Sequence, residues 1–362
     1  MSSSVKSRSI GVGVVGAGFG RYGLVPAFRR DNRCEVVAIA ASSGRSAQTH
    51  AETLGISRAY GNWRDLLEDE GVDAVAVATP PAVQPSIIKY AMSRNLAVFA
   101  EKPLATSLEA AQELEELARA AGLPNVIDFI FPELDTWRLA RSKIQEGAIG
   151  ALHHFVVNWQ FESYDHRNGV EGWKTDGRQG GGALQHFVSH CLYYIEWLVG
   201  PIGELMARVS TVNWVGRSGD TLVSLSFKLE TGVPGALIVS SAANHGSGHS
   251  IEVYGSEGSL RLTNESHDPV RGFRLSVAGR TSSGFQTILE ETDNESDMSE
   301  DGRVLPVSRL ANRFLDWCSG DKPTMPTFRD GLRVQYLIDA VKQSDELRRG
   351  VRIENVYLPT ES

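Results

Sequence analysis

Apolar residues recur through the first third of the chain as short unbroken runs at 10–15, 35–40, 73–78, 96–99 and 126–129. The stretches between them carry helical spacing. Residues 24–28 suggest one helix, and Ala47, Ala51 and Leu54 lie on the face of another that stops at Gly55. Residues 108–121 form an amphipathic helix with its charges mostly on one side. Unbroken apolar strands alternating with helices predict right-handed βαβ units and a mainly parallel sheet, covered on both faces. The pattern then changes. A helix over 137–145 ends at Gly147, and 151–161 alternates apolar with polar positions as a half-covered strand does. A helix begins near Ala183 and runs through Tyr193, Tyr194 and Trp197 to Gly200. Strand candidates then bunch together at 204–212, 221–230, 235–241, 250–254 and 259–263. Bunched strands after a βαβ series predict an α+β second domain with an open, largely antiparallel sheet. The expected division is a frayed tail at 1–8, a first domain at 9–130 and a second at 131–362. Residues 290–301 are acidic and polar and read as a mobile surface loop. A closing helix through 331–340 is expected near the domain junction.

The first apolar run feeds a turn, Gly16-Ala17-Gly18-Phe19-Gly20-Arg21, and then a helix. Strand, glycine turn and helix form the setting of a dinucleotide fingerprint, so the first domain is expected to be a Rossmann fold. Glycine lets backbone amides approach a pyrophosphate at the helix start. Arg21 stands where the third glycine of that fingerprint belongs, and its cation suits the pyrophosphate. About 20 residues later, an acidic residue would bind the ribose hydroxyls of NAD. Ala41-Ser42-Ser43-Gly44-Arg45 stands there instead. Two hydroxyls and a guanidinium suit the 2′-phosphate of NADP, so NADP is favoured over NAD, with Arg45 as a solvated first-turn residue the alternative. Ligands of such sheets bind beyond the carboxyl ends of the strands. Thr79-Pro80-Pro81 and Glu101-Lys102-Pro103 both fall there.

These segments together resemble the Gfo/Idh/MocA oxidoreductases. The resemblance extends over nearly the whole chain and includes the glycine turn, Ala78-Thr79-Pro80-Pro81, Glu101-Lys102-Pro103-Leu104, residues 146–150, Gly181-Gly182-Ala183-Leu184 with His190, and residues 252–260. It implies reversible hydride transfer between nicotinamide and a secondary alcohol or ketone of a sugar, polyol or nucleotide sugar. His190 matches the family's catalytic histidine. His186 replaces the aspartate four residues before it, and Tyr193 replaces another. Lys102 would hold the reacting oxygen, while Thr79, Pro80, Gln84 and Glu101 would line the ribose and nicotinamide side. For the substrate, Trp159, Tyr164 and Trp173 are candidates for stacking on a sugar ring, and Asp128, Lys174 and Arg178 for polar contacts. The family's use of one sheet face for self-association implies a homodimer or homotetramer.

Other readings remain beside this one. His186 and His190 sit four apart, which is half a zinc site, but no glutamate lies between them and no third ligand is spaced to join them, so no metal is expected. A dinucleotide or sugar sensor without turnover is a different class, opposed by the presence of both Lys102 and His190. Redox-neutral, NAD-assisted glycoside cleavage is a third. With 362 residues, 41% of them hydrophobic, the chain is long enough for two cores. A formal charge of −8 offers no basic footprint for nucleic acid. No apolar stretch reaches about 18 residues, so no membrane span is expected. Three scattered cysteines give no disulfide framework and point to the cytoplasm.

Overall fold

Six strands build the first sheet: β1 (Ile10–Val15), β2 (Cys34–Ala40), β3 (Arg58–Tyr60), β4 (Ala74–Val77), β5 (Ala97–Ala100) and β6 (Asn125–Ile127). They belong to a computed structural model that describes residues 9–212, 218–291 and 300–354. The order is β3-β2-β1-β4-β5-β6, with every pairing parallel. All four residues of β4 and of β5 are buried, as expected for strands covered on both faces. The order reverses between β1 and β4, which opens a crevice at their carboxyl ends.

The second sheet has nine strands: β7 (Leu152–Gln160), β8 (Ile202–Ser210), β9 (Leu222–Leu229), β10 (Pro234–Ser240), β11 (Gly248–Gly255), β12 (Gly258–Asn264), β13 (Arg274–Gly279), β14 (Gln286–Glu290) and β15 (Val351–Arg352). Their order is β14-β13-β12-β11-β7-β10-β9-β8-β15, and only the β7–β10 pair is parallel. β9 buries alternate residues, Val223, Leu225, Phe227 and Leu229, as one covered face requires. The fold is thus the expected α/β layer followed by a largely antiparallel α+β layer.

Four strands went unread in the sequence. β3 and β15 have only three and two residues, and β13 and β14 lie toward one edge, where alternation is weak. The first helix also starts differently, with a π-helical turn at Gly20–Leu24 running into Val25–Phe28. The unread helix Val304–Cys318 returns to the first domain. Its Phe314 meets Phe28 and Phe99 edge-on, at 6.2 and 5.8 Å between centroids. The closing helix spans Phe328–Leu347 and packs on both β8 and Leu108–Ala121. The tail at 1–8 lies outside the described residues, as does 292–299 of the acidic stretch. The C-terminal end of that stretch is held, because Glu300 pairs with Arg30 at 2.6 Å and Asp301 with Arg303 at 2.7 Å.

Candidate active site

A cavity of about 640 Å³ opens at the carboxyl ends of β1, β4 and β5 and is closed from the other side by the second domain. Gly16, Gly18 and Phe19 form its floor after β1. Gly16 has φ +108°, and a Cβ there would lie 2.2 Å from the carbonyl oxygen of Ala78, so only glycine lets the turn sit against β4. Nothing lies within 4 Å of where a Cβ of Gly18 would be, which leaves that backbone open to a ligand. Gly20 is under the turn, where a Cβ would come 2.9 Å from Val14 Cγ1; it serves helix-to-strand packing.

Thr79 and Pro80 follow β4 and Glu101 and Lys102 follow β5; all four line the cavity. Gln84 is buried instead, and its Nε2 donates to the carbonyls of Glu101 at 2.6 Å, Pro103 at 3.0 Å and Leu104 at 3.3 Å. It holds the loop that presents Lys102 and does not face the cavity. Asp128, just past β6, completes this wall with only 2% of its surface exposed.

The opposite wall carries His186 and His190. The loop before them is pinned by Asp220, whose Oδ2 accepts from the amide of Leu184 at 2.7 Å and whose carbonyl accepts from Ala183 at 2.7 Å. Gly182, at φ +104°, makes room for that carboxylate. The helix begins as a π-helical turn over Leu184–Val188 and becomes α-helical at Ser189–Val199. Such turns are frequent at functional sites. Both histidines reach the cavity, together with Trp159, Trp173 and Lys174. Trp173 stands edge-on to His186 at 5.7 Å, whereas Trp159 is mostly core, stacked on His249 at 4.3 Å.

Lys102 joins the two walls. Its ammonium donates to the carbonyl of His186 at 2.8 Å and lies 3.4 Å from His186 Nδ1, leaving donor capacity for a ligand oxygen. Burial pushes Lys102 down to about 8. Burial, and next the Lys102 charge, hold both histidines well below the usual histidine range, so each is neutral around pH 7. His190 is therefore a neutral ring with room to accept a proton. Phe131 and Phe129 contact its ring edge-on at 5.2 and 5.9 Å. Asp128 is raised well above the usual carboxyl range by burial and then by the charge of Glu101 beside it.

Four cavity-lining groups hold a buried polar atom with no hydrogen-bond partner among the described residues: Thr79 Oγ1, Glu101 Oε1, Asp128 Oδ1 and His190 Nδ1. Buried polar atoms left unpaired on the two walls of one cavity are what a ligand would satisfy. With the opening above Gly18, they make the site fit a dinucleotide and a hydroxylated substrate.

Five further candidates stand off the cavity. Arg21 lines a surface depression with Val25, Pro26 and Arg29, turned away by the π-helical start of its helix. Ser43 caps the helix Gly44–Leu54 by accepting from the Ser46 amide at 3.2 Å. Arg45, in the first turn of that helix, is exposed. Tyr164 is 73% exposed, and Arg178 pairs with Asp176 at 3.1 Å. Ser42 does reach the cavity, joined by Ser46, His50 and Trp63, of which the sequence reading named only Ser42. It also missed Tyr22, Phe131, Pro269, Val270 and Arg303. Phe131 was signalled by its place just after the last parallel strand; Arg303, beyond the acidic stretch, had no local signal.

Residues 10–129 match the family described as oxidoreductase family, NAD-binding Rossmann fold, and residues 137–261 match the GFO/IDH/MocA C-terminal domain. The chain belongs to the Gfo/Idh/MocA oxidoreductases. It is 29% identical to an uncharacterized oxidoreductase of Synechocystis sp., over 97% of this chain and 98% of that one. It is 26% identical to dTDP-3,4-didehydro-2,6-dideoxy-alpha-D-glucose 3-reductase of Streptomyces violaceoruber, over 94% and 96%. The structure of levoglucosan dehydrogenase in complex with NADH and levoglucosan superposes with a TM-score of 0.83, covering 96% of this chain and 100% of that one at 20% identity. Among the described residues no helix is long and apolar enough to cross a membrane, and no three His, Cys, Asp or Glu side chains converge as a metal ligand set.

Proposed function

We propose that this oxidoreductase is an NAD(P)-dependent dehydrogenase acting on a secondary alcohol or ketone of a sugar, polyol or nucleotide sugar. The observation that carries the reading is the convergence of Lys102, from the first domain, and His190, from the second, on one cavity with unpaired buried polar atoms. The named relatives act on a sugar nucleotide and on levoglucosan, which supports that substrate class. The bound nicotinamide would supply the hydride acceptor or donor at its C4. The Gly16–Gly18 backbone would hold the pyrophosphate, and Thr79 and Glu101 the nearby ribose. Lys102 would donate to the substrate oxygen and stabilise the alkoxide that develops during oxidation. His190, neutral at working pH, would take the hydroxyl proton as hydride leaves the carbon, and return it during reduction.

The test is nicotinamide absorbance with free sugars, inositols and nucleotide sugars, with NAD and NADP supplied separately. Turnover with one class, lost in Lys102→Ala while cofactor binding persists, is the expected result. Cofactor binding without any redox signal, but with exchange of substrate-ring hydrogen into solvent, would replace this reading with redox-neutral glycoside cleavage. Binding with neither signal would favour a sensor.

A further inference from the structure

Arg303 reaches the cavity from the far end of the chain, immediately before the helix Val304–Cys318. Its guanidinium lies 4.4 Å from the ring of Phe19 and 5.7 Å from that of Tyr22. Phe19 belongs to the glycine turn and Tyr22 to the first turn of the helix after it, so a second-domain cation hangs over the place where a dinucleotide's phosphates dock. Asp301 fixes one edge of the fork: Nε donates to Oδ1 at 2.8 Å and Nη2 to Oδ2 at 2.7 Å. Nη1 has no hydrogen-bond partner among the described residues. Asp301 also lies in the field of Arg271. The segment is tied to the first domain by Arg30 and Glu300 at 2.6 Å. Arg21, the cation beside the glycine turn in sequence, faces the other way.

We propose that Arg303 is the pyrophosphate-binding cation of this site, held by Asp301 and offering Nη1 to the phosphate oxygens opposite the Gly16–Gly18 backbone. This rests on the dinucleotide-binding part of the proposed function. The pyrophosphate carries two negative charges, which the glycine-turn amides meet from one side and Arg303 from the other. Planar guanidinium geometry suits this better than an ammonium, because one edge stays clamped while the other binds.

Calorimetric titration of the full chain with NADH, ADP-ribose and AMP separates the possibilities without turnover. ADP-ribose keeps the pyrophosphate and lacks nicotinamide, whereas AMP keeps the adenosine end with a single phosphate. Arg303→Met is expected to weaken NADH and ADP-ribose by roughly tenfold or more while AMP stays within about twofold. Arg303→Lys should fall between Arg303→Met and wild type, and it decides the matter if Arg303→Met does not fold. Unchanged NADH affinity, or an AMP loss as large as the NADH loss, overturns the assignment. Failure of the wild type to bind NADH or NADPH would overturn the dinucleotide reading itself, and this inference with it.

Discussion

The two walls of the cavity are built by different kinds of order. On the first-domain wall every functional group sits within a few residues of a parallel strand's carboxyl end: Gly16 and Gly18 after β1, Thr79 after β4, Lys102 after β5, Asp128 after β6. One topological rule places them all. On the second-domain wall Trp159 comes from the end of β7, His186 and His190 from a helix, Val270 from a loop after β12, and Arg303 from a segment more than 100 residues beyond the histidines. No single rule places these. They meet because a nine-stranded sheet holds distant segments in register. The first wall is thus a local construction, and the second depends on long-range packing.

Removing one group from each wall should produce the largest effects. Lys102→Ala and His190→Ala are each expected to lower turnover by about 10²–10⁴-fold, and the double variant by much less than the product, since both act on one oxygen. Loss of less than about tenfold in either would remove that residue from the chemistry. The wild-type pH profile gives a second check. Lys102 is charged below about 8, so turnover should fall as pH rises through that value. His190 is depressed well below the usual histidine value, so its protonation should give no acid limb near pH 6.5. An acid limb near 6.5 that vanishes in His190→Ala would show the ring to be more solvated than its packing against Phe129 and Phe131 implies.

Next in size is a break in the long-range packing of the second wall. Glu196, on the helix of His190, forms a buried ion pair with Arg333 of the closing helix, at 2.7 Å. Glu196→Ala would strand a buried guanidinium at a cost of about 3–5 kcal/mol. Denaturant unfolding should register this loss. Because neither Glu196 nor Arg333 lines the cavity, ADP-ribose affinity of the folded fraction should stay near wild type. A matching loss of that affinity would show that the two walls are not independent.

How much of this was legible in the sequence follows the same division. The unbroken apolar runs of β1, β4 and β5, alternating with helical stretches, read as buried parallel strands, and the residues after them fall at the crevice. His190 was reached through family resemblance, since helical spacing alone cannot say which cavity a face will meet. Gln84 was read as lining the ribose and nicotinamide side through the same resemblance. Its amide turned inward because three carbonyls of the 101–104 loop needed a donor. Arg303 was invisible for the opposite reason: the residues before it are acidic and polar, and its partners Phe19 and Tyr22 stand about 280 positions away.

The smallest expected effect sharpens the limits of the first wall. Ser42, Ser43 and Arg45 together suggested a 2′-phosphate site, but they diverge in the fold. Ser43 is engaged in capping its helix, Arg45 is exposed, and Ser42 shares the cavity end with Ser46 and His50. An exposed cation in the first turn of a helix meets the positive end of the dipole and contributes little to stability. Arg45→Ala should therefore leave the ratio of NADPH to NADH affinity within about twofold, because the arginine does not line the cavity. A selective loss of NADPH affinity of about tenfold would mean that the arginine swings onto the phosphate when the cofactor binds. The first wall would then also depend on a group that its strand ends do not place.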